Sequence, residues 1–310
     1  MVVKAPVVDL RHRPESRKKL SLKKNDWHQT SQLLCGDKVY AFDKDKTGKW
    51  LRIGAVDQKI FSKGKWPWLH GWIRADQVVS VDRFPKYNLV VKEPWARIRV
   101  SRFNNKWVLM GTPLKGVRKD KDRWDVTIPG EDGSKDVTGY IFNDFVHELS
   151  KLKELDEPSL RFSIVQTAQK FKGSPYLWGG MSFYKRRLRK CDKQLTGVDC
   201  SGLAHLCYKV NGICIPRNSV SQYKSEKCKK LLSNPKPGDL VFLANGKDPS
   251  KISHVIIYMG SDRLVEARGS DVREVVEVTG KERFGKPVYE LKKEDKTKDG
   301  HFIYFGSYVS

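Results

Sequence analysis

Period-two alternation fills the first 150 positions and helical spacing appears only afterwards. That order of patterns is the tightest constraint on the fold. Asp37-Lys38-Val39-Tyr40-Ala41-Phe42, Lys49-Trp50-Leu51-Arg52-Ile53 and Gly71-Trp72-Ile73 are short apolar runs set between Asp, Gly and Lys turns, the signature of strands. Strands so short and so closely spaced suggest small barrels. The pattern recurs: Lys106-Trp107-Val108-Leu109-Met110 echoes the run at Lys49, and Gly139-Tyr140-Ile141 echoes the run at Gly71. We read two related all-β modules, 1–82 and 83–149.

From 150 to 310 the order reverses, helices first and strands after. Leu160, Ile164, Ala168 and Phe171 recur at helical spacing over 159–172, with Pro158 near the first turn and Gly173-Ser174-Pro175 as the stop. A second helix runs from Cys200 to about Val210, closed by Asn211-Gly212. A third is expected over Ser219–Leu232. Leu240–Leu243, His254–Met259, Arg263–Glu266 and Phe302–Phe305 then read as strands. Helices followed by a strand meander make an α+β domain.

Composition narrows the function classes. Nine Trp, eleven Tyr and thirteen Phe supply ample apolar surface for packed cores. The net charge of +24 fits attraction to a carboxylate-rich substrate or envelope. The charge is spread over Arg17-Lys18-Lys19, Arg118-Lys119, Lys185-Arg186-Arg187 and Lys292-Lys293, with no zinc-finger spacing, recognition helix or aromatic RNA signature, so no specific nucleic-acid partner is expected. The six cysteines (Cys35, Cys191, Cys200, Cys207, Cys214 and Cys228) form no C-x-x-C pair and point weakly to a reducing compartment. Cys207 and Cys214 read as buried thiols. No stretch approaches the ~20 apolar residues of a membrane span. The N-terminus lacks an apolar signal core, so a cytoplasmic location is expected, or a periplasmic or secreted one if a signal has been removed.

Chemistry concentrates in two segments. In Gly197-Val198-Asp199-Cys200-Ser201-Gly202-Leu203 the cysteine sits at a helix N-terminus, where free N–H groups and the helix dipole favour a thiolate and can hold an oxyanion. Taken alone, the segment equally describes a helix capped by Asp199 with Cys200 simply buried. Ser253-His254-Val255-Ile256-Ile257-Tyr258-Met259-Gly260 opens an apolar strand with a histidine, and Gly260-Ser261-Asp262 reads as a hairpin turn. His254 and Glu266, twelve positions apart across that turn, fall on neighbouring antiparallel strands that can place them on one face. Thiolate, imidazole and an orienting acceptor form a nucleophile constellation. His205 is a poorer base, five residues along the same helix as Cys200 and pointing away.

These segments resemble the NlpC-type cysteine peptidases. That family combines an Asp-Cys-Ser-Gly helix start, a His-Val-x-Ile-Tyr strand and a third polar residue twelve positions on. Pro175-Tyr176-Leu177-Trp178-Gly179-Gly180 is similar to its Tyr-x-Trp-Gly-Gly motif, Pro216-Arg217-Asn218-Ser219 with Gln222 to its Pro-Arg-x-Ser element, and Pro237-Gly238-Asp239-Leu240-Val241-Phe242 to its Pro-Gly-Asp-Leu strand start. The resemblance implies a papain-like domain over 150–310, with helices packed on an antiparallel sheet, preceded by two small bacterial SH3-like barrels. Ser31–Asp37 looks like the opening of the first barrel.

The arrangement is closest to the YkfC-like group, which cleaves between γ-D-glutamate and a diamino acid. The implied substrate is a peptidoglycan stem peptide, L-Ala-γ-D-Glu-diaminopimelate with a free N-terminal L-Ala, cleaved by a monomer without metal or cofactor. By the same resemblance Cys200 is the nucleophile, His254 its base, Glu266 the orienting group, and Tyr176 lies beside the oxyanion. Asp199, Ser201 and Ser219 bind the L-Ala–D-Glu end, with Asp199 facing the amine. Asp37 and Trp72 stand where relatives more often carry Glu and Tyr to help close the pocket.

Two departures stand out. The third residue is usually histidine, and here it is Glu266; the alternative is a surface glutamate outside the chemistry. The loop between Gly180 and Asp199 is longer than usual and carries Lys185, Arg186, Arg187, Arg189 and Lys190, which we read as a solvated face. The rival from another class is a wall-binding protein with a vestigial peptidase domain, and a third option is acyl transfer or amide hydrolysis on another substrate.

Overall fold

The computed structural model describes residues 1–17, 21–102, 104–130, 136–184 and 194–309. The basic stretch Lys185–Lys190, together with Cys191, Lys18 and Lys19, lies outside the described residues. The chain divides into two compact units. One holds Met1–Gln58, Trp68–Glu154 and Leu177–Gly197; the other holds Lys59–Pro67, Leu155–Tyr176 and Val198–Ser310.

The first unit contains a five-stranded sheet, in the order Gln29–Leu34, Val7–Arg11, Trp68–Arg74, Trp50–Lys59, Val39–Lys44, and a seven-stranded sheet, in the order Asn105–Leu109, Trp95–Arg99, Val137–Phe142, Arg123–Ile128, Pro113–Arg118, Leu89–Val91, Val146–Glu148. Neither order closes on itself, where small barrels were expected. Val39–Lys44 stays an edge strand because every residue after Val39 is exposed, with Asp43 and Lys44 placing charge where a further strand would pair. In the second sheet Trp124, Val126 and Ile128 alternate into a core with Leu89, Ile98, Val108 and Ile141. Cys35 joins the same core from the first repeat.

Residues 177–197 belong to this unit through Gln32. Its amide nitrogen donates to the Leu195 carbonyl at 2.7 Å, and its amide oxygen accepts from Met181 N at 3.1 Å and Ser182 Oγ at 2.7 Å. Gly179 of the Trp-Gly-Gly motif adopts φ +68°, and a Cβ there would lie 2.9 Å from the Gln29 carbonyl oxygen, so only glycine serves.

The second unit is the α+β domain. Its first helix, Glu157–Gln169, is capped by Asp156, which accepts from Ser159 N, with Pro158 in the first turn. The second helix is Cys200–Val210. The third is shorter than its sequence suggests. It spans Ser219–Lys224, after which Ser225 turns extended (φ −56°, ψ 136°). Lys229–Leu231 then pairs antiparallel with Phe305–Ser307, because a sheet edge overrides a modest helical preference.

The six strands lie in the order Lys229–Leu231, Phe302–Ser307, Leu240–Ala244, Ile252–Gly260, Arg263–Arg268, Glu274–Thr279. Alternate residues Val241, Leu243, Ile256, Tyr258, Leu264, Ile303 and Phe305 build one core with Phe284, Val288 and Leu291. Phe242 and Tyr304 pack edge-on instead against Tyr223 of the third helix, with ring centroids at 5.3 and 5.5 Å. Cys207 and Cys228 are buried free thiols, and Cys35 is buried as well. Cys214, expected to be buried, is exposed, since it lies beyond the helix end, in the irregular segment after the Asn211–Gly212 turn. No helix among the described residues is long and apolar enough to cross a membrane.

Arg161 ties the first helix to the sheet. It donates to Asp239 Oδ1 at 2.7 Å, to the Pro237 and Val309 carbonyls at 3.0 Å each, to Ser307 Oγ at 3.1 Å and to Glu157 at 2.9 Å. The Asp of the Pro-Gly-Asp-Leu motif is therefore the buried partner of this guanidinium. Asp239→Ala should destabilise the protein by about 3 kcal/mol in urea denaturation, because a buried charge loses its counter-ion while Glu157 remains; a loss under about 1 kcal/mol would show that the pair is dispensable.

Candidate active site

Asp199 caps the second helix by accepting from Gly202 N at 2.6 Å. This leaves Cys200 at the first helical position, half-buried, beside unsatisfied N–H groups. Asp199 is itself gripped by Arg217, whose Nη1 donates to Oδ1 at 3.0 Å and Nη2 to Oδ2 at 2.9 Å. Ser201 Oγ donates to Asp199 Oδ1 at 3.1 Å and accepts from Arg217 Nη1 at 2.9 Å. Gln222 adds bonds to the Ser201 and Pro216 carbonyls at 3.0 and 2.9 Å. The segment 59–67 steadies this corner, with Arg217 N donating to the Lys59 carbonyl at 3.0 Å and Phe61 N to Ser221 Oγ at 2.7 Å. Ser219 opens the third helix and is buried.

The histidine arrives on Ile252–Gly260. Ser261 and Asp262 both take left-handed backbone (φ 48° and 64°) between the paired Gly260 and Arg263, a two-residue hairpin turn. The register Ile257↔Val265 that follows sets Glu266 one diagonal step from His254 on the same face. His254 Nε2 lies 2.6 Å from Glu266 Oε2. The Cys200 side chain acts on the same ring and raises its affinity for a proton.

Burial works against a charged ring, but the Cys200 sulfur and then Glu266 outweigh it and bring His254 up to about 10. Glu266 is buried with no exposed side-chain surface, so the alternative of a surface glutamate fails. Burial pushes its carboxyl up, and the His254 bond together with the charges of His254, Arg283 and Arg268 more than reverses this, leaving it below the usual range. The arrangement joins a sulfur at a helix mouth, an imidazole that favours its proton, and an ionised carboxylate fixing the ring, a set able to perform acyl transfer.

Tyr176 is fixed by its N–H to the Arg273 carbonyl at 2.8 Å, with the Arg273 guanidinium over its ring at 5.6 Å. Gly269 packs on the ring so closely that a Cβ would come within 2.5 Å of Cζ. Burial, then the charges of Asp199 and Cys200, raise the phenol far above its ordinary value, so the hydroxyl keeps its proton and can donate. His205 is buried, 3.5 Å from the Pro216 carbonyl and depressed to about 3 by burial, a neutral core histidine as its spacing implied. Asp37 and Trp72 belong to the other unit. Asp37 is buried there and closes a turn by accepting from Leu34 N at 2.8 Å, while Trp72 is half-buried and pairs with Arg11. Among the described residues no group of three or more His, Cys, Asp or Glu is placed to hold a metal ion.

Residues 173–286, which contain Tyr176, Asp199, Cys200, Arg217, His254 and Glu266, match the NlpC/P60 family. The segment is an NlpC/P60 domain. The γ-D-glutamyl-L-lysine dipeptidyl-peptidase of Bacillus subtilis (strain 168) is 31% identical over 140 residues, 45% of this chain and 43% of that protein. The probable endopeptidase p60 of Listeria monocytogenes is 37% identical over 110 residues, 36% of this chain and 19% of the relative. The chain thus spans less than half the length of these curated relatives. An NlpC/P60 family protein from Bacillus cereus ATCC 10987 shares the fold, with TM-score 0.73 at 19% identity over 100% of this chain and 99% of that one.

Two arginines of the NlpC/P60 domain complete the site and were not singled out as site residues. Arg217 was visible inside the Pro-Arg-Asn-Ser motif but carried no role. Arg283, whose Nε donates to Glu266 Oε1 at 3.0 Å, had no motif around it.

His254 is raised above its ordinary 6.5. Its protonation therefore stabilises the fold fully below about pH 6.5, and this contribution fades as pH rises through about 10. NMR titration of ring-labelled histidines should find the His254 midpoint near 10, and Cys200→Ala and Glu266→Gln should each lower it by about one unit or more. A midpoint unmoved by both substitutions would break the proposed contacts.

Proposed function

We propose that this chain is a cysteine endopeptidase that hydrolyses the γ-D-glutamyl–diamino acid bond of peptidoglycan stem peptides, on fragments whose N-terminal L-Ala is free. The observation that carries this reading is the linked set Cys200, His254 and Glu266 inside an NlpC/P60 domain. The names of the relatives, a γ-D-glutamyl-L-lysine dipeptidyl-peptidase among them, support the bond class.

In this reading the Cys200 thiolate attacks the γ-carbonyl carbon, and the oxygen gathers negative charge. N–H groups at the helix start and the Tyr176 hydroxyl stabilise that charge. The C–N bond breaks as imidazolium His254 gives its proton to the leaving amine. Water, deprotonated by His254, then cleaves the thioester, releasing the L-Ala-γ-D-Glu carboxylate and restoring the thiol. Asp199, Ser201 and Ser219 receive the L-Ala–D-Glu end. Asp199 Oδ1 already accepts from Gly202 N, Ser201 Oγ and Arg217 Nη1, so the amine is met through Oδ2, which it shares with Arg217. The two N-terminal sheets are read as SH3-like modules, a reading supported by the sequence resemblance.

Incubation with L-Ala-γ-D-Glu-diaminopimelate should yield L-Ala-D-Glu and the free diamino acid by mass spectrometry, and acetylating the L-Ala amine should suppress the reaction. Cys200→Ala should lower kcat by about three orders of magnitude or more. Continued cleavage by that variant would remove the nucleophile, and cleavage of some other bond would remove the specificity.

A further inference from the structure

Glu266 is a buried carboxylate with two oxygens, and His254 engages only one of them. The other, Oε1, is met by Arg283 Nε at 3.0 Å. The same guanidinium reaches Asp299 Oδ2 through Nη1 at 3.2 Å, so it is pinned between two carboxylates.

Its own backbone is built to hold it there. Arg283 lies on a single-turn helix, Gly280–Phe284, whose Thr279 and Glu282 form a reciprocal capping box. The Asp262 carboxylate, from the tip of the hairpin that pairs the His254 and Glu266 strands, accepts from Gly280 N at 3.1 Å and Val288 N at 2.7 Å. The turn that sets the His254–Glu266 register thus also fixes the helix bearing Arg283.

We propose that Arg283 is a positioning residue that makes a carboxylate workable as the third member of this site, holding Glu266 ionised and oriented whether His254 is charged or neutral. This rests on the reading of Cys200 and His254 as the reacting pair. The chemistry demands a second cation. A buried anion needs a counter-charge, and His254 stops supplying one each time it hands its proton to a leaving amine. A guanidinium, unlike an imidazole, does not give up its proton in such a cycle. The charged groups around this point are His254, Arg283 and Arg268 toward Glu266, Cys200 toward His254, and Asp299, which also meets His301 Nδ1 at 3.5 Å, toward Arg283.

The test is the pH profile of Cys200 alkylation by iodoacetamide, read on the Cys200 peptide by mass spectrometry, which needs no peptide substrate. Arg283→Met should move the acid limb of that profile up by about one pH unit or more, because Glu266 then protonates more readily. Arg283→Lys, which keeps the charge and loses the fork, should give a smaller shift of the same sign, and it stands in for the first variant should that one not fold. In a Glu266→Gln background Arg283→Met should leave the limb in place, since nothing remains to be held. An unmoved limb in the single variants, or an equal shift in the Gln background, overturns the proposal. Stem-peptide hydrolysis in parallel separates the two readings: a limb that shifts in a protein with no peptidase activity sinks the proposed function alone, and normal hydrolysis with an unmoved limb sinks the positioning role alone.

Discussion

A carboxylate without access to water sits at the centre of the second unit, and much of the local architecture answers its charge. Glu266 would be untenable as an anion between apolar strands without compensation. His254 and Arg283 supply it from opposite sides, one on the neighbouring strand and one on a helix reached after a further strand. The tight turn at Ser261–Asp262 serves both. Its geometry sets the strand register, and its aspartate holds the helix start. A longer or looser hairpin would slide Glu266 to the other face, since a one-residue slip inverts every side chain.

The same solution recurs twice. Asp199 is balanced by Arg217 at the mouth of the Cys200–Val210 helix, and Asp239 by Arg161 where the first helix meets the sheet. Each pair is buried, bidentate or multiply hydrogen-bonded, and joins segments distant in sequence. Such pairs add little net stability over apolar packing, but a wrong arrangement leaves a buried charge alone and is strongly disfavoured. In this domain arginine fixes which helix start faces which strand, and so where the sulfur, the imidazole and the phenol meet.

What was legible in the sequence follows from the range of the forces involved. The helix opening at Cys200 could be read because its cap, Asp199, is adjacent, and the pairing of His254 with Glu266 because a glycine-led turn lies midway between them. The third helix was read too long because the cause of its early end, the edge of the sheet at Phe305–Ser307, lies some eighty residues away. Arg217 stands within a motif that gives it no role, since nothing local says which carboxylate it will reach. Arg283 was invisible for the same reason and had no motif to mark it. In the first unit the strands were legible but not their closure, which depends on the exposed edge at Val39–Lys44 and on partners far along the chain.

A carboxylate in place of a neutral third residue raises a difficulty that the geometry itself resolves. An imidazolium held near 10 is a poor acid for the proposed reaction, in which a leaving amine must be protonated at neutral pH. That affinity, however, depends on the Cys200 sulfur, which comes first among the influences that raise it, with Glu266 second. In the proposed reaction, once the sulfur has bonded to the carbonyl carbon its charge moves to the oxygen, toward Tyr176 and the helix N–H groups. The larger of the two attractions is then gone, and His254 becomes more acidic at the moment its proton is required. Glu266, with part of its charge drawn toward Arg283, steadies the ring without reclaiming the proton. In the proposed reaction the thiolate thus governs when the proton leaves, while the carboxylate and its arginine govern where the ring points.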